Sequence, residues 1–308
     1  MNKLVKVLAA SALVATALVG CGKKDGGDTP ATNEAKFAKA GLGVVSTLND
    51  EGQVNTTFVA LGLDKDGKIQ YIDLDVAQST PGGEGELDKT KEERGTDYGM
   101  TQASGIKKEW NEQAEAFEAF CKGKTPDEVA QIETMDYHGG KAPKTGTDLA
   151  AGCTIVIDDF LAAVDKASKN AVEVNADKIQ LGRVMSNDAE KKQLNTTLAL
   201  VATDAEGKVL YTKIDVAQIY DNEGTKITDT KSERGTDYGM TQASGIKKEW
   251  NEQAEAFEAY CKGKTLDEIA KVETMDYHGG KAPATGTDLA AGCTIVIDDF
   301  LAALAKAK

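Results

Sequence analysis

The sequence predicts an α+β fold made of two tandem repeats, each a small antiparallel sheet with packed helices. Three observations carry this prediction. First, the segment from Arg94 to Ala163 recurs from Arg234 to Ala303, 140 positions later, with six substitutions (Phe120/Tyr260, Pro126/Leu266, Val129/Ile269, Gln131/Lys271, Ile132/Val272, Lys144/Ala284). A period this long marks tandem domains and not a solenoid. Second, hairpin-like apolar runs open each repeat and runs at helical spacing follow. Third, the stretch TGTDLAAGCTIVIDDFLAA stands unchanged at Thr145–Ala163 and at Thr285–Ala303.

The chain begins with an address. Lys3 and Lys6 precede an apolar run from Val7 to Val19, which ends Leu18-Val-Gly-Cys21. The run is too short and too rich in alanine for a spanning helix and reads as an export signal over residues 1–20. Its end resembles the lipobox of bacterial lipoproteins, which implies cleavage before Cys21 and a diacylglyceryl anchor on that sulfur; two acyl chains hold stably. Residues 21–34, rich in Gly, Asp, Lys and Thr, read as a flexible tether.

Repeat 1 is expected over residues 35–166 and repeat 2 over residues 167–308. Phe58–Leu63 and Lys68–Val76 flank the turn Asp64-Lys-Asp-Gly67, a hairpin signature; Leu198–Val216 around Glu206-Gly207 is its counterpart. Val44–Leu48 and Val184–Ser186 add a candidate strand to each. Arg94–Met100 is a polar, Gly-containing connection. A helix is expected from Gly105 to Lys122, with Ser104 as its cap and Trp110, Ala114, Phe117 and Cys121 on one face. A second short helix opens after Thr125, and Met135–Lys141 is read as a loop. Ile155, Ile157, Phe160, Leu161 and Val164 give a last helix, with Asp165–Asn170 linking the repeats.

Thr154 and Thr294 are thereby expected in or just before a first helical turn, where free N–H groups and the helix dipole favour a phosphate. A plain Thr N-cap has the same local signature. Asp148-Leu-Ala-Ala-Gly-Cys-Thr154 resembles the covalent flavinylation motif of the FMN-binding domain family, D-x-x-[S/A]-G-[A/C]-[T/S]. The resemblance implies FMN held through a phosphoester on Thr154 and Thr294, with Asp148 and Asp288 needed for its transfer. Ala151, Gly152 and Cys153, and equally Ala291, Gly292 and Cys293, complete the two motifs.

Other groups are weighed beside this motif. Tyr98, Met100, Tyr238 and Met240 lie near glycines and are candidates for the wall of a flavin ring, whereas Trp110 and Trp250 read as core. Lys141 and Lys281, each after His-Gly-Gly, are candidate cations for a reduced flavin or else belong to solvated turns. Cys121 with Cys153 and Cys261 with Cys293 are expected as internal disulfides outside the membrane, each worth about 3–4 kcal/mol; pairs of buried thiols are the competing reading. One His per repeat with no second ligand at metal spacing argues against a metal site. Lys+Arg 36 against Asp+Glu 50 leaves a net charge of −14, which excludes nucleic-acid binding. No nucleophile–base set, P-loop or dinucleotide fingerprint is present.

The family resemblance implies a lipid-anchored electron carrier on the extracellular face of the cell membrane, similar to the flavinylated lipoproteins of Gram-positive extracellular electron transfer. It would be a carrier more than an enzyme, at most a flavin-dependent extracellular reductase. Implied partners are a flavin transferase, a quinol-linked membrane donor and extracellular acceptors such as ferric iron. Two other readings stand beside it: a peptide-pheromone precursor whose product is the signal peptide, and a ligand-binding lipoprotein.

Overall fold

In chain order the elements of the first repeat are β1 (Phe37–Leu48), β2 (Val54–Leu63), β3 (Ile69–Ser79), α1 (Lys91–Arg94), α2 (Trp110–Cys121), α3 (Pro126–Ala130), β4 (Thr134–Tyr137), β5 (Gly140–Pro143) and α4 (Asp158–Lys169). Then follow β6 (Val172–Ala176), β7 (Lys178–Asp188), β8 (Gln193–Thr203), β9 (Val209–Asn222), β10 (Thr225–Ile227), α5 (Lys231–Arg234), α6 (Trp250–Cys261), α7 (Leu266–Ile269), β11 (Thr274–Tyr277), β12 (Gly280–Pro283) and α8 (Asp298–Lys306). This computed structural model describes residues 35–83 and 88–307. The expected export signal, Cys21 and the tether lie outside the described residues. The fold is mixed α+β, with two four-stranded antiparallel sheets ordered β3-β2-β1-β6 and β10-β9-β8-β7 and two small hairpins, β4–β5 and β11–β12.

The sheets follow from period-two burial. On β2, Phe58 and Ala60 point to one side, while Val59, Leu61 and Leu63 point to the other. The second set packs under α2 and α4 with Trp110, Phe117, Phe160 and Val164. Repeat 2 builds the same helix-covered core from Val201, Ile214, Trp250, Phe257, Phe300 and Leu304. The first set does something that was not foreseen. Phe58, Leu42 and Val44 of one sheet share a single core with Leu181, Leu198, Leu200 and Ile219 of the other. The two sheets therefore pack face to face, each with its helices outside. The helices lie very close to the strands: a Cβ on Gly43 would stand 2.1 Å from Ala163 O, and one on Gly182 would stand 1.7 Å from Ala303 O.

Several sequence expectations change. The helix α2 begins at Trp110, capped by Glu109 and not by Ser104. The stretch Met135–Lys141 is most of a β-hairpin. The proposed linker Asp165–Asn170 is the last turn of α4. The strands β1 and β7 run far beyond the segments predicted for them.

Charged groups also join the repeats. Lys166 of α4 pairs with Glu233 of α5, and reciprocally Lys306 of α8 pairs with Glu93 of α1 at 2.7 Å. Such half-exposed pairs contribute little each. Arg183 on β7 is different, because its guanidinium is largely buried among the carboxylates of repeat 1. It lies 2.6 Å from Asp73, 3.2 Å from the fully buried Asp75, and against Glu92. Burial pushes the Asp75 carboxyl up to about 6, against the pull of Arg183, and pushes Glu92 up to about 7. The register places Val44 opposite Phe58 as Arg183 stands opposite Leu198. Around Val44 the corresponding acids are replaced by Lys213 and Ser232, which remain with Asp215 beside a cleft.

Removing Arg183 leaves carboxylates buried without their cation. Arg183→Met is expected to lower stability by about 3–5 kcal/mol at pH 8. Asp75 and Glu92 bind protons as pH falls through 7 and 6, so the deficit shrinks below pH 6. Urea unfolding of both proteins at the two pH values measures this, and an equal deficit at both would show that the carboxylates are not its source.

Candidate functional site

The repeated motif folds as a short 3-10 turn, Leu149–Ala151, followed by an irregular segment that crosses α2. Gly152 lets that crossing be close, since a Cβ there would lie 2.8 Å from Ala116 Cβ. The Cys153 N–H donates to Leu149 O at 2.9 Å, and its side chain is fully buried. Thr154 is not at a helix N-terminus. The helix α4 starts at Asp158, with Ile157 at its cap and Asp158 and Asp159 in its first turn. The β-branched run Thr154-Ile-Val-Ile157 stays outside the helix, with a bend at Ile155, and the acidic pair favours the later start. The helix-dipole argument for a phosphate at Thr154 is thereby corrected.

Gln113 holds Thr154 instead. The Thr154 N–H donates to Gln113 Oε1 at 2.9 Å, and the Thr154 hydroxyl donates to the same oxygen at 3.2 Å. The Gln113 amide is fully buried, and its Nε2 donates to Ser104 Oγ at 3.3 Å, Lys108 O at 3.2 Å and Met100 Sδ at 3.4 Å. Repeat 2 reproduces the arrangement around Gln253, with Thr294 N and Oγ1 at 2.9 and 3.1 Å. Glu109 fastens the neighbouring loop by accepting from the Thr101 hydroxyl and from the N–H groups of Thr101 and Met100. The Thr101 hydroxyl and these N–H groups hold its carboxyl below the usual range. Sequence reasoning missed Gln113, although there was a signal: it lies three residues after Trp110 and four before Phe117, a polar residue on the buried face of an apolar helix.

In repeat 2 two clefts meet at Thr294. One, of about 350 Å3, is walled by Lys231, Tyr238, Met240, Trp250 and Gln253. The other, of about 650 Å3, is walled by Thr285, Thr287, Asp288 and Ala291. Gly245, Tyr277 and Thr294 belong to both. In repeat 1 the corresponding cleft, about 220 Å3, has Lys91, Met100, Trp110 and Ile155 in its walls. The rims are apolar. Apart from Val172, the large apolar side chains exposed among the described residues are Met135, Tyr137 and Val156 and their counterparts Met275, Tyr277 and Val296.

Of the predicted wall residues, Tyr238, Met240 and Met100 line these clefts, and Tyr98 packs at the edge of the same core. Trp110 and Trp250 are core residues, as expected, each edge-on to a Phe of the last helix, and each also has atoms on a cleft wall. Asp148 is exposed, and Asp288 is exposed on a cleft wall. Lys141 and Lys281 each pair across their own hairpin, with Asp136 at 2.5 Å and Asp276 at 2.6 Å. The disulfides are corrected too. Cys121, Cys153, Cys261 and Cys293 are free thiols, filling apolar core beneath the motif. Burial pushes Cys121 and Cys261 up to about 12 and Cys153 and Cys293 up to about 11, so they stay protonated and inert.

No protein-family model, curated protein or solved structure matches the chain. Among the described residues, no group of three or more His, Cys, Asp or Glu is placed to hold a metal ion, and no helix is long and apolar enough to cross a membrane.

The two clefts have the size and walls of a small-molecule site. Their sizes fall in the usual ligand range, aromatic and thioether groups offer a flat apolar wall, and the Thr hydroxyl stands where the clefts join. A Cβ on Gly292 would lie 3.9 Å from Lys248 Nζ, so a cation stands beside the motif turn; Lys108 does the same at Gly152.

The thiol assignment has a direct check. Without reductant, a thiol reagent should leave Cys121, Cys153, Cys261 and Cys293 unmodified in the folded protein and modify all four after denaturation. Intact mass reads the number, and fewer modifications after denaturation would restore the disulfides.

Proposed function

We propose that this chain is a lipid-anchored electron-transfer flavoprotein with FMN bound covalently at Thr154 and Thr294. The observation that carries the reading is the position of Thr294, where an aromatic-walled cleft meets a larger one that also holds the motif residue Asp288, with its hydroxyl oriented by a buried amide. The same residues recur at Thr154, and the amide contact is repeated there. FMN would supply reversible electron transfer; the protein supplies attachment, shielding and local charge. Attachment through the phosphate side leaves the ring to the cleft formed by Tyr238, Met240 and Trp250. An accepting Gln oxygen beside the hydroxyl orients it and holds the loop in place before any modification.

The remaining parts of the proposal rest on the sequence. A lipid on Cys21 and a tether of residues 21–34 would hold the carrier outside the membrane. A flavin transferase would load it, a quinol-linked membrane protein would reduce it, and ferric iron or similar oxidants would reoxidise it. A covalent bond suits that setting, since a dissociated cofactor would be diluted away from the site.

The test is intact mass after co-production with a flavin transferase and FAD. The unmodified ectodomain should gain two FMN residues, Thr154→Val and Thr294→Val one each, and the double variant none. Full loading of either single variant would remove its threonine from the assignment, and no loading of the unmodified chain by an active transferase would remove the flavin reading.

A further inference from the structure

Each cleft contains a lysine that no motif singled out. Lys91 opens α1 and lines the cleft of repeat 1, and Lys231 opens α5 and lines the cleft of repeat 2 beside Thr294. The Lys91 ammonium lies 5.2 Å from the Tyr98 ring centroid and 5.5 Å from that of Trp110; for Lys231 the distances to Tyr238 and Trp250 are 5.2 and 5.4 Å. Among the described residues, neither ammonium has a hydrogen-bond or ion-pair partner, so each is free to meet an anion. Its place is nevertheless fixed. Thr90 caps α1 by accepting from Glu93 N, and the Glu92 N–H donates to the buried Asp75 at 3.0 Å, which pins the helix to β3. Thr230 and the Ser232 N–H do the same on Asp215.

We propose that Lys91 and Lys231 are the cations that hold the negative charge of a reduced flavin in each cleft, and so set its potential. This rests on the flavin reading above. It transfers to these two residues the role first expected of Lys141 and Lys281, whose ammonium groups are taken up by Asp136 and Asp276. The charged groups facing Lys91 are Asp75 on β3, Asp159 on α4 and Arg94 on its own helix; those facing Lys231 are Arg234, Asp215 and Asp299. Burial lowers both amines to about 8, so their charge changes near neutral pH, and a flavin that gains negative charge on reduction would draw the proton back. A cation over an aromatic face in a partly desolvated cleft interacts more strongly with an incoming anion than one in water does.

The experiment uses the flavin-loaded ectodomain carrying Thr154→Val, so that one flavin reports on Lys231 alone. Potentiometric titration followed by absorbance is run with Lys231 intact and as Lys231→Met and Lys231→Arg. The Met variant should lose the preference for reduced flavin about tenfold, a fall of about 30 mV for a two-electron couple, whereas Arg should retain it. A second readout needs no substitution at the lysine. By reciprocity, NMR titration of the Lys231 ε-carbon should show the amine rising by about one pH unit between the oxidised and the reduced protein. An unchanged potential in the Met variant, or an amine that does not respond to reduction, would overturn the assignment while leaving Thr294 as the acceptor. Failure of the Thr154→Val protein to load at Thr294 would remove the flavin reading, and this inference with it.

Discussion

The site depends on two buried amides. Gln113 and Gln253 each tie together the connection after the first short helix, the long helix that carries the amide, and the irregular segment with Thr154 or Thr294. An amide with no exposure is stabilising only when its polar atoms are satisfied, and each orphaned donor or acceptor costs about 1–3 kcal/mol. Here the oxygen serves the Thr N–H and hydroxyl, while the nitrogen serves Ser104 or Ser244 and a backbone carbonyl. The run of Thr154 to Ile157 thus has its place fixed without a helix. In repeat 2 the Ile297 N–H closes the far end on Lys281 O at 2.8 Å, which also seats the hairpin whose Tyr277 and Met275 line the clefts.

The comparison between repeats acquires a physical reason from the stacked sheets. The near-identical halves, from Arg94 and from Arg234 onward, supply the helices, the motif and most of the cleft. The diverged halves supply the strands, whose inner faces meet each other. Two copies packed face to face need complementary and not identical surfaces, and the differences fall where they meet. Arg183 stands in register with Val44, and Lys213 and Ser232 replace Asp73 and Glu92, so each acidic or neutral pocket faces what it can accommodate.

The α+β class, the hairpins and the helices α2 and α3 were legible because their signals are local. Apolar runs flanking a turn marked the hairpins, Thr125 before Pro126 marked a short helix, and the 140-residue offset marked the duplication. What escaped needed three dimensions. Apolar residues on both faces of Phe58–Leu63 were compatible with a doubly covered strand, but only the fold reveals that the other repeat covers it. Ile155 and Ile157 matched helical spacing, yet the helix does not begin until Asp158. Lys91 went unnoticed because a four-residue helix leaves no periodicity, and its cation–aromatic contacts join residues seven and nineteen positions apart. The cysteines were paired by compartment, whereas their burial beneath the motif gives each a packing role as a thiol.

A crystal structure of the ectodomain after transferase treatment tests the central claim most directly. The account predicts continuous density from Oγ1 of Thr154 and Thr294 into a phosphate, with each ring against its Met, Tyr and Trp wall and within reach of Lys91 or Lys231. Density on another residue, or both threonine hydroxyls still bonded to Gln113 and Gln253 beside empty clefts, would contradict it.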